Sequence, residues 1–189
     1  PLHYGKSNEH RHFPGTISLS ANTLLSTLMD IGESLYAAGF RKLVLMNSHG
    51  GQPQVMEIAA TDLHARYEDF WLFPIFTWRV TQEHKRLLSE REVQEAMHAG
   101  DAGTSLMLVL LPEWVQMNQA VREYPPPQPG MLASKGGVTF SWLTQDLSDS
   151  GVVGDATAAS RQKGERILDL LAEGWCELLQ EVYHFKAKQ

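Results

Sequence analysis

The fold class of this chain is decided by an apolar run that ends in a polar loop: Lys42-Leu43-Val44-Leu45-Met46-Asn47-Ser48-His49-Gly50-Gly51-Gln52. Helical patterns flank the run, which predicts a strand of a parallel sheet that is covered on both faces. Ligands of such sheets bind beyond the carboxyl ends of the strands, where His49 stands. Glycines beside His49 allow the backbone to approach a ligand closely. The residues alone leave two roles open for His49: a site residue, or a histidine that hydrogen-bonds backbone carbonyls.

Helical patterns on either side of this run predict a βαβ unit. Ser20 is a suitable N-cap for a helix over 21–38, and Gly39 can end that helix. Pro53 can occupy the first turn of a second helix that ends near Tyr67, and 71–76 is the next strand. The crossover between the two strands is expected to be right-handed. The predicted apolar stripe of the first helix consists of Leu24, Leu25, Leu28, Ile31, Leu35 and Tyr36.

The second half of the chain contains further helical patterns. Residues 82–97 are charged and predict a surface helix, and 106–111 predict a buried helix closed by Pro112. The tail over 156–183 is amphipathic and is expected to pack over the sheet. Three histidines in helical or tail segments are interpreted as surface residues: His64, His84 and His184.

Bulk composition describes an ordinary globular chain of 189 residues with a formal net charge of −6. The charge argues against nucleic acid as a partner, because phosphate binding requires clustered Lys and Arg. No apolar run approaches the ~20 residues of a membrane span, so no membrane partner is expected. Cys176 is the single cysteine, which fits a cytoplasmic protein. The chain is interpreted as one domain over 1–189.

Polar loops follow the predicted apolar elements at 47–52, 98–105 and 135–155. Loops at one end of an α/β sheet converge, so His49 and His98 are predicted to face one cavity. Histidine with carboxylate is the usual ligand chemistry of a catalytic divalent metal. His98 suits a ligand or a proton shuttle, and equally a packing role. The loop that contains Glu9 and His10 is interpreted either as a wall of the site or as a solvated loop.

Several sequence blocks together resemble the creatininase (creatinine amidohydrolase) family. They occur in the order that the family shows, over nearly the whole chain. The blocks are 4–10, 13–19, 39–42, Asn47-Ser48-His49-Gly50-Gly51, His98-Ala99-Gly100 with 104–108, and Ser150-Gly151-Val152-Val153-Gly154-Asp155.

The resemblance implies a three-layer α/β/α sandwich with a mostly parallel central sheet, assembled as a homohexamer. It also implies two divalent metal ions per site, Zn or Mn with Fe as a further option, and hydrolysis of a non-peptide C–N bond in a small amide. By resemblance, His49 is a metal ligand and His98 transfers protons beside the metals. A substrate pocket is predicted from Glu9, His10, Ser48, Gly50, Gly51 and Trp142.

Three departures from the family pattern qualify these expectations. The family's first metal block, which would precede Tyr4, is not in this sequence, so an N-terminal strand and helix segment is expected to be missing. Gly103 stands where related chains have a metal-binding Glu, and Asp101 is the candidate substitute. Gly51 stands where creatinine hydrolases have a Glu, so this chain lacks both of the expected carboxylates. Met97 stands where creatinine-specific members have an acidic residue, which argues against creatinine as the substrate. The alternative is a catalytically impaired homologue that acts as a binding or structural subunit.

Overall fold

The computed structural model describes residues 1–128 and 130–187. It divides into two compact units, Pro1–Val80 with Trp175–Gln189, and Thr81–Gly174. The helices are α1 (Ala21–Ala37), α2 (Pro53–Arg66), α3 (Glu90–Glu95), α4 (Asp101–Leu110), α5 (Thr144–Leu147) and α6 (Arg161–His184). The strands are β1 (Lys42–Asn47), β2 (Trp71–Phe76), β3 (Arg122–Glu123), β4 (Leu132–Ala133), β5 (Val138–Thr139) and β6 (Gly154–Asp155). The mixture confirms the α/β class.

The first unit contains the predicted βαβ arrangement. Strands β1 and β2 pair in parallel, with Lys42 opposite Trp71 at one end of the register, and α2 connects them. Ser20 caps α1 by accepting a hydrogen bond from the Thr23 backbone N–H. Gly39, at φ +96°, ends that helix in the left-handed conformation that glycine adopts without strain. These predicted boundaries are therefore confirmed.

The core of the first unit lies between α1 and α2. Leu24 and Leu28 of α1 are buried against α2, and each such side chain contributes about 1.5–3 kcal/mol by leaving water. Gly32 lets the two helices approach, since a Cβ there would stand 2.3 Å from a Leu63 methyl carbon. Ile31, predicted in the apolar stripe, is instead 39% exposed. The α2 side of this core consists of Val55, Met56 and Ala59.

The strand pair itself is only half-buried, whereas the sequence predicts a strand covered on both faces. Met46 is 63% exposed, and Asn47 alone among the β1 residues is buried. In the described part of the chain, β1 pairs with no strand other than β2, which leaves much of the pair's surface uncovered. The pairs β3–β6 (antiparallel) and β4–β5 (parallel) are separate from it. The three-layer sandwich and the single domain over 1–189 stay predictions.

The end of the tail packs on the first unit's strands, as predicted. Lys42 Nζ donates to the carbonyl oxygen of Val182 at 2.8 Å and to that of Tyr183 at 2.7 Å. The Phe185 ring lies 5.1 Å from the Trp71 ring, centroid to centroid. Trp175 is buried, and α6 begins at Arg161, later than the predicted position 156.

In the second unit, residues 82–97 do not form one surface helix. A 3₁₀ turn over Glu83–Leu87 precedes α3, and Ser89 caps α3 by accepting from the Glu92 backbone N–H. His84 and Glu92 are each 4% exposed, so the surface interpretation of His84 is wrong. The high content of charged residues in this segment does not reveal which side chains are buried, because burial of a charged side chain depends on its tertiary contacts.

The buried face of α4 is polar, which also differs from prediction. Helix α4 begins at Asp101, and its buried side chains are Asp101 and Ser105, while Leu110 is 55% exposed. Ser105 faces α6 closely, since a Cβ at Gly164 would lie 2.0 Å from the Ser105 carbonyl oxygen. Within the apolar run, residues 106–109 are half-buried and Leu110 and Leu111 are exposed.

The remaining surface predictions have mixed outcomes. His184 is exposed, as predicted. His64 is half-buried, with Nδ1 at 2.8 Å from the Phe70 carbonyl oxygen, so its surface interpretation is wrong. Among the described residues, no helix has the length and apolar character required to cross a bilayer.

Candidate metal centre

His49 is placed by a loop that folds around the buried side chain of Asn47, the last residue of β1. Asn47 Oδ1 accepts from the His49 backbone N–H at 3.0 Å, and Asn47 Nδ2 donates to the His49 carbonyl at 2.9 Å. Gln52 Nε2 donates to the same Oδ1 at 3.0 Å. A side chain that mimics backbone in this way fixes a turn of defined shape. The loop therefore presents His49 in one orientation.

A second loop, over residues 5–10, is attached to this one. Gln52 Oε1 accepts from the Lys6 backbone N–H at 3.1 Å, and Lys6 Nζ donates to the Gly51 carbonyl at 3.2 Å. A Cβ at Gly5 would stand 2.1 Å from Gln52 Oε1, so a larger residue there would have to shift the Gln52 side chain. These contacts place the 3₁₀ turn Asn8–His10 beside His49.

Glu9, His10 and His49 form a compact cluster. Glu9 Oε1 lies 2.9 Å from His49 Nε2 and 3.6 Å from His10 Nε2, and Glu9 is 9% exposed. Burial raises the pKa of Glu9, but hydrogen bonds, with His49 first among them, lower it further, so the net pKa is below the usual value. Burial lowers the pKa of His10. Glu9 is therefore an anion and His10 favours its neutral form, the two states in which these side chains bind metal.

The donor set fits a divalent metal ion. One ligand atom from each of Glu9, His10 and His49 lies within 4.8 Å of the others. One carboxylate oxygen and two imidazole nitrogens match the ligand preferences of Zn²⁺ and suit Mn²⁺ as well. In the structure, His49 Nε2 also lies 3.1 Å from the Lys6 carbonyl oxygen.

The absence of a side chain at Gly51 leaves space for the Glu9 carboxylate beside His49. A Cβ at position 51 would stand 2.2 Å from Glu9 Oε1 and 2.6 Å from His49 Nε2. No side chain fits there while Glu9 holds its place. The carboxylate of Glu9 thus occupies the space into which a longer residue at position 51 would extend.

Other predicted pocket residues differ in their placement. Ser48 and Gly50 lie on the His49 loop and are exposed. Trp142 belongs to the second unit, where its Nε1 donates to the Ser134 carbonyl at 2.9 Å. His98 also belongs to the second unit. A cavity shared by His49, His98 and Trp142 therefore stays a prediction.

Asp101 has contacts of a different kind from those of a metal ligand. Its Oδ2 lies 2.5 Å from Lys163 Nζ, and its Oδ1 accepts from Ser105 Oγ at 3.2 Å. Both oxygens are therefore engaged within the second unit, and Asp101 is only 3% exposed. These contacts place Asp101 in an ion pair between α4 and α6, and its role as a substitute metal ligand stays a prediction.

Sequence reasoning missed two residues that build the site. Asn47 shapes the His49 loop, and Lys6 connects the two loops. A buried polar residue at the end of an apolar strand is a signal for the first. Nothing in the sequence alone marks Lys6.

Comparison with known proteins gives the family. The creatininase family model, described as creatinine amidohydrolase, matches residues 1–179. The chain belongs to the creatininase family. The creatinine amidohydrolase of Pseudomonas putida is 31% identical over 96% of this chain and 73% of its own length. The mycofactocin precursor peptide peptidase of Mycobacterium ulcerans is 31% identical over 88% of this chain, which spans 59% of that relative's length.

Solved creatininase structures share the fold. One described as creatininase Mn has a TM-score of 0.76 and 28% identity, and covers 96% of this chain and 73% of its own. A mutant creatininase of Zn-Zn type has a TM-score of 0.74 and 28% identity, over 96% of this chain and 73% of its own. The family therefore uses divalent metal ions, in agreement with the donor set of the Glu9 cluster.

Proposed function

We propose that this creatininase-family chain is a metal-dependent amidohydrolase that cleaves a C–N bond of a small amide with activated water. The observation that carries the proposal is the cluster of Glu9, His10 and His49 in a chain of an amidohydrolase family. Relatives are named for creatinine and for a precursor peptide, so the amide bond is the chemistry they share. Creatinine is not the proposed substrate, because Met97 stands where the family resemblance predicts an acidic residue in creatinine-specific members.

Glu9, His10 and His49 would hold the metal ion. A bound divalent ion would supply Lewis acidity, which activates water and polarises the amide carbonyl. The buried carboxylate of Glu9 would offset part of the charge of a bound ion. Gly51 leaves the space that this carboxylate requires. His98 is proposed to deliver the proton to the leaving nitrogen, since imidazole exchanges protons near neutral pH.

One ion is the number that these residues support. The described residues offer a single group of three possible ligands, and Gly51 and Gly103 contribute no side-chain ligand. A second ion, as in the Zn-Zn type structure, would need ligands from outside the cluster. The homohexamer and the cytoplasmic location stay expectations.

Metal content and hydrolysis together test the proposal. The purified chain is treated with chelator, reloaded with Zn²⁺ or Mn²⁺, and assayed by elemental analysis and with formanilide and creatinine as probe amides. We expect about one tightly bound ion per chain and hydrolysis of formanilide that chelator abolishes. His49→Gln should lose both, whereas His12→Gln, at an exposed histidine of the neighbouring loop, should retain both.

The opposite result would favour the non-catalytic alternative. A chain that binds neither ion after reloading would act as a binding or structural subunit. Metal binding that persists in His49→Gln would show that the ion is bound at a site other than the Glu9 cluster.

A further inference from the structure

Hydrogen bonds fix nearly every peptide group of the segment 96–101, which contains His98. The Ala96 carbonyl accepts from Lys135 Nζ at 2.6 Å, and the Ala99 carbonyl accepts from Thr104 Oγ1 at 3.1 Å. Met97 and His98 pair with Val153: the Met97 N–H donates to the Val153 carbonyl at 2.9 Å, and the Val153 N–H donates to the His98 carbonyl at 3.0 Å.

The backbone beside His98 is strained. Ala99 has φ +53°, in the left-handed region that residues with a Cβ rarely adopt. Such a conformation persists only where surrounding contacts enforce it, and it is common at functional sites. The contacts on both sides of Ala99 therefore determine where the His98 backbone stands.

Glu92 supplies the contact on the far side of this segment. Its Oε1 accepts from the Asp101 backbone N–H at 2.6 Å, at the first residue of α4. Its Oε2 accepts from the Asp155 N–H at 2.9 Å and from the Tyr124 hydroxyl at 3.0 Å. Burial, with the Glu92 hydrogen bond, raises the pKa of Tyr124 to about 12, so this hydroxyl remains a donor. One buried carboxylate thus joins the His98 segment to the segment that pairs with it.

Two glycines make room for this carboxylate. A Cβ at Gly100 would lie 2.2 Å from Glu92 Oε1 and 3.1 Å from the Gly154 Cα. Gly154, at φ +147°, would place a Cβ 2.8 Å from the Gly100 Cα. The two segments therefore touch through their backbones at the point where Glu92 bonds both.

We propose that Glu92 is the positioning residue for His98. It holds the His98 segment by accepting hydrogen bonds from the Asp101 and Asp155 N–H groups, on the two sides of the Gly100–Gly154 contact. The inference rests on the proposed function for the role of His98. A carboxylate is required because both oxygens must accept. In Glu92→Gln one oxygen becomes an NH₂ group, which would face an N–H donor and leave it unsatisfied.

Glu92→Gln is the test, with Glu90→Gln as matched control on the exposed side of the same helix. Amide hydrogen exchange at Asp101 and Asp155 is measured together with the His98 ring cross-peak in an NMR spectrum. The metal-loaded chain is then assayed with formanilide. We expect exchange at one of the two amides to accelerate about tenfold or more, as for a lost buried hydrogen bond.

Positioning also predicts a specific kinetic pattern. In Glu92→Gln the His98 cross-peak should move, and kcat should fall about tenfold while KM and metal content stay unchanged. Glu90→Gln should match the wild type in every measurement. Tyr124→Phe keeps both hydrogen bonds from the backbone N–H groups to Glu92, and it is the second test variant if Glu92→Gln does not fold. It should move the His98 cross-peak by a smaller amount than Glu92→Gln.

Three results would overturn the inference. The first is an unmoved His98 cross-peak in both Glu92→Gln and Tyr124→Phe. The second is unchanged exchange at both amides in a folded Glu92→Gln. The third is wild-type kcat in Glu92→Gln despite faster exchange. If the wild type hydrolyses no probe, the proposed function fails, while exchange and the cross-peak still decide the role of Glu92.

Discussion

Replacing Lys163 by methionine is expected to destabilise the protein strongly. Lys163 Nζ lies 2.5 Å from Asp101 Oδ2, and the side chains are 21% and 4% exposed, respectively. Lys163→Met would leave the Asp101 carboxylate buried with Ser105 Oγ as its remaining side-chain donor among those described. A buried charge that loses its partner costs about 3–5 kcal/mol. Because Lys163 is partly exposed and water can enter, we expect about 3 kcal/mol, at the lower end.

Urea unfolding followed by circular dichroism measures this loss. The double variant Asp101→Asn with Lys163→Met removes both charges and should recover most of the stability, ending within about 1 kcal/mol of the wild type. Arg161→Met is the control: its pair with Glu165 is exposed, so its effect should stay within about 0.5 kcal/mol.

The same variants decide the role of Asp101. Asp101→Asn should retain the bound metal ion, because both carboxylate oxygens are engaged by Lys163 and Ser105. Loss of the ion in Asp101→Asn would contradict this expectation and support Asp101 as a metal ligand. A cost of less than about 1 kcal/mol for Lys163→Met would refute the estimate for a desolvated pair.

Three further predictions concern single positions. Gly51→Ala should weaken Zn²⁺ binding about tenfold or more in a calorimetric titration, because its Cβ would displace Glu9 and His49. Gly103→Ala should raise the free energy of unfolding by about 0.5–1 kcal/mol, since alanine favours the helix and its Cβ would meet nothing within 4 Å. Glu123→Gln should lose less stability than the wild type as the pH falls from 4.5 to about 2. Burial raises the pKa of Glu123, but hydrogen bonds from the 148–150 loop lower it to about 2.

The sign of the acid effect follows from the lowered pKa. A carboxylate with a folded pKa below its unfolded value stabilises the protein above the unfolded pKa, and this contribution disappears as the pH falls through the folded pKa. Equal acid sensitivity in Glu123→Gln and the wild type would contradict the prediction. Unchanged Zn²⁺ affinity in Gly51→Ala, or a lower stability in Gly103→Ala, would contradict the other two.

The sequence by itself determined the local elements of the first unit and the family. Ser20, Gly39 and Pro53 act within a few residues of their own positions, so their capping and turn signals predicted boundaries correctly. The place of His49 at the end of a strand was predicted in the same way. Strand period, caps and turns are properties of neighbouring residues, which a sequence displays directly.

Only the tertiary structure decided the partners of these residues. Glu9 meets His49 from 40 positions away because two loops are hydrogen-bonded to each other, and the space at Gly51 admits the carboxylate. Asp101 pairs with Lys163, and Glu92 is buried where its charged sequence neighbours predicted exposure. Which donor satisfies a carboxylate depends on how separate segments approach one another. The spacing of residues along one chain does not contain that information.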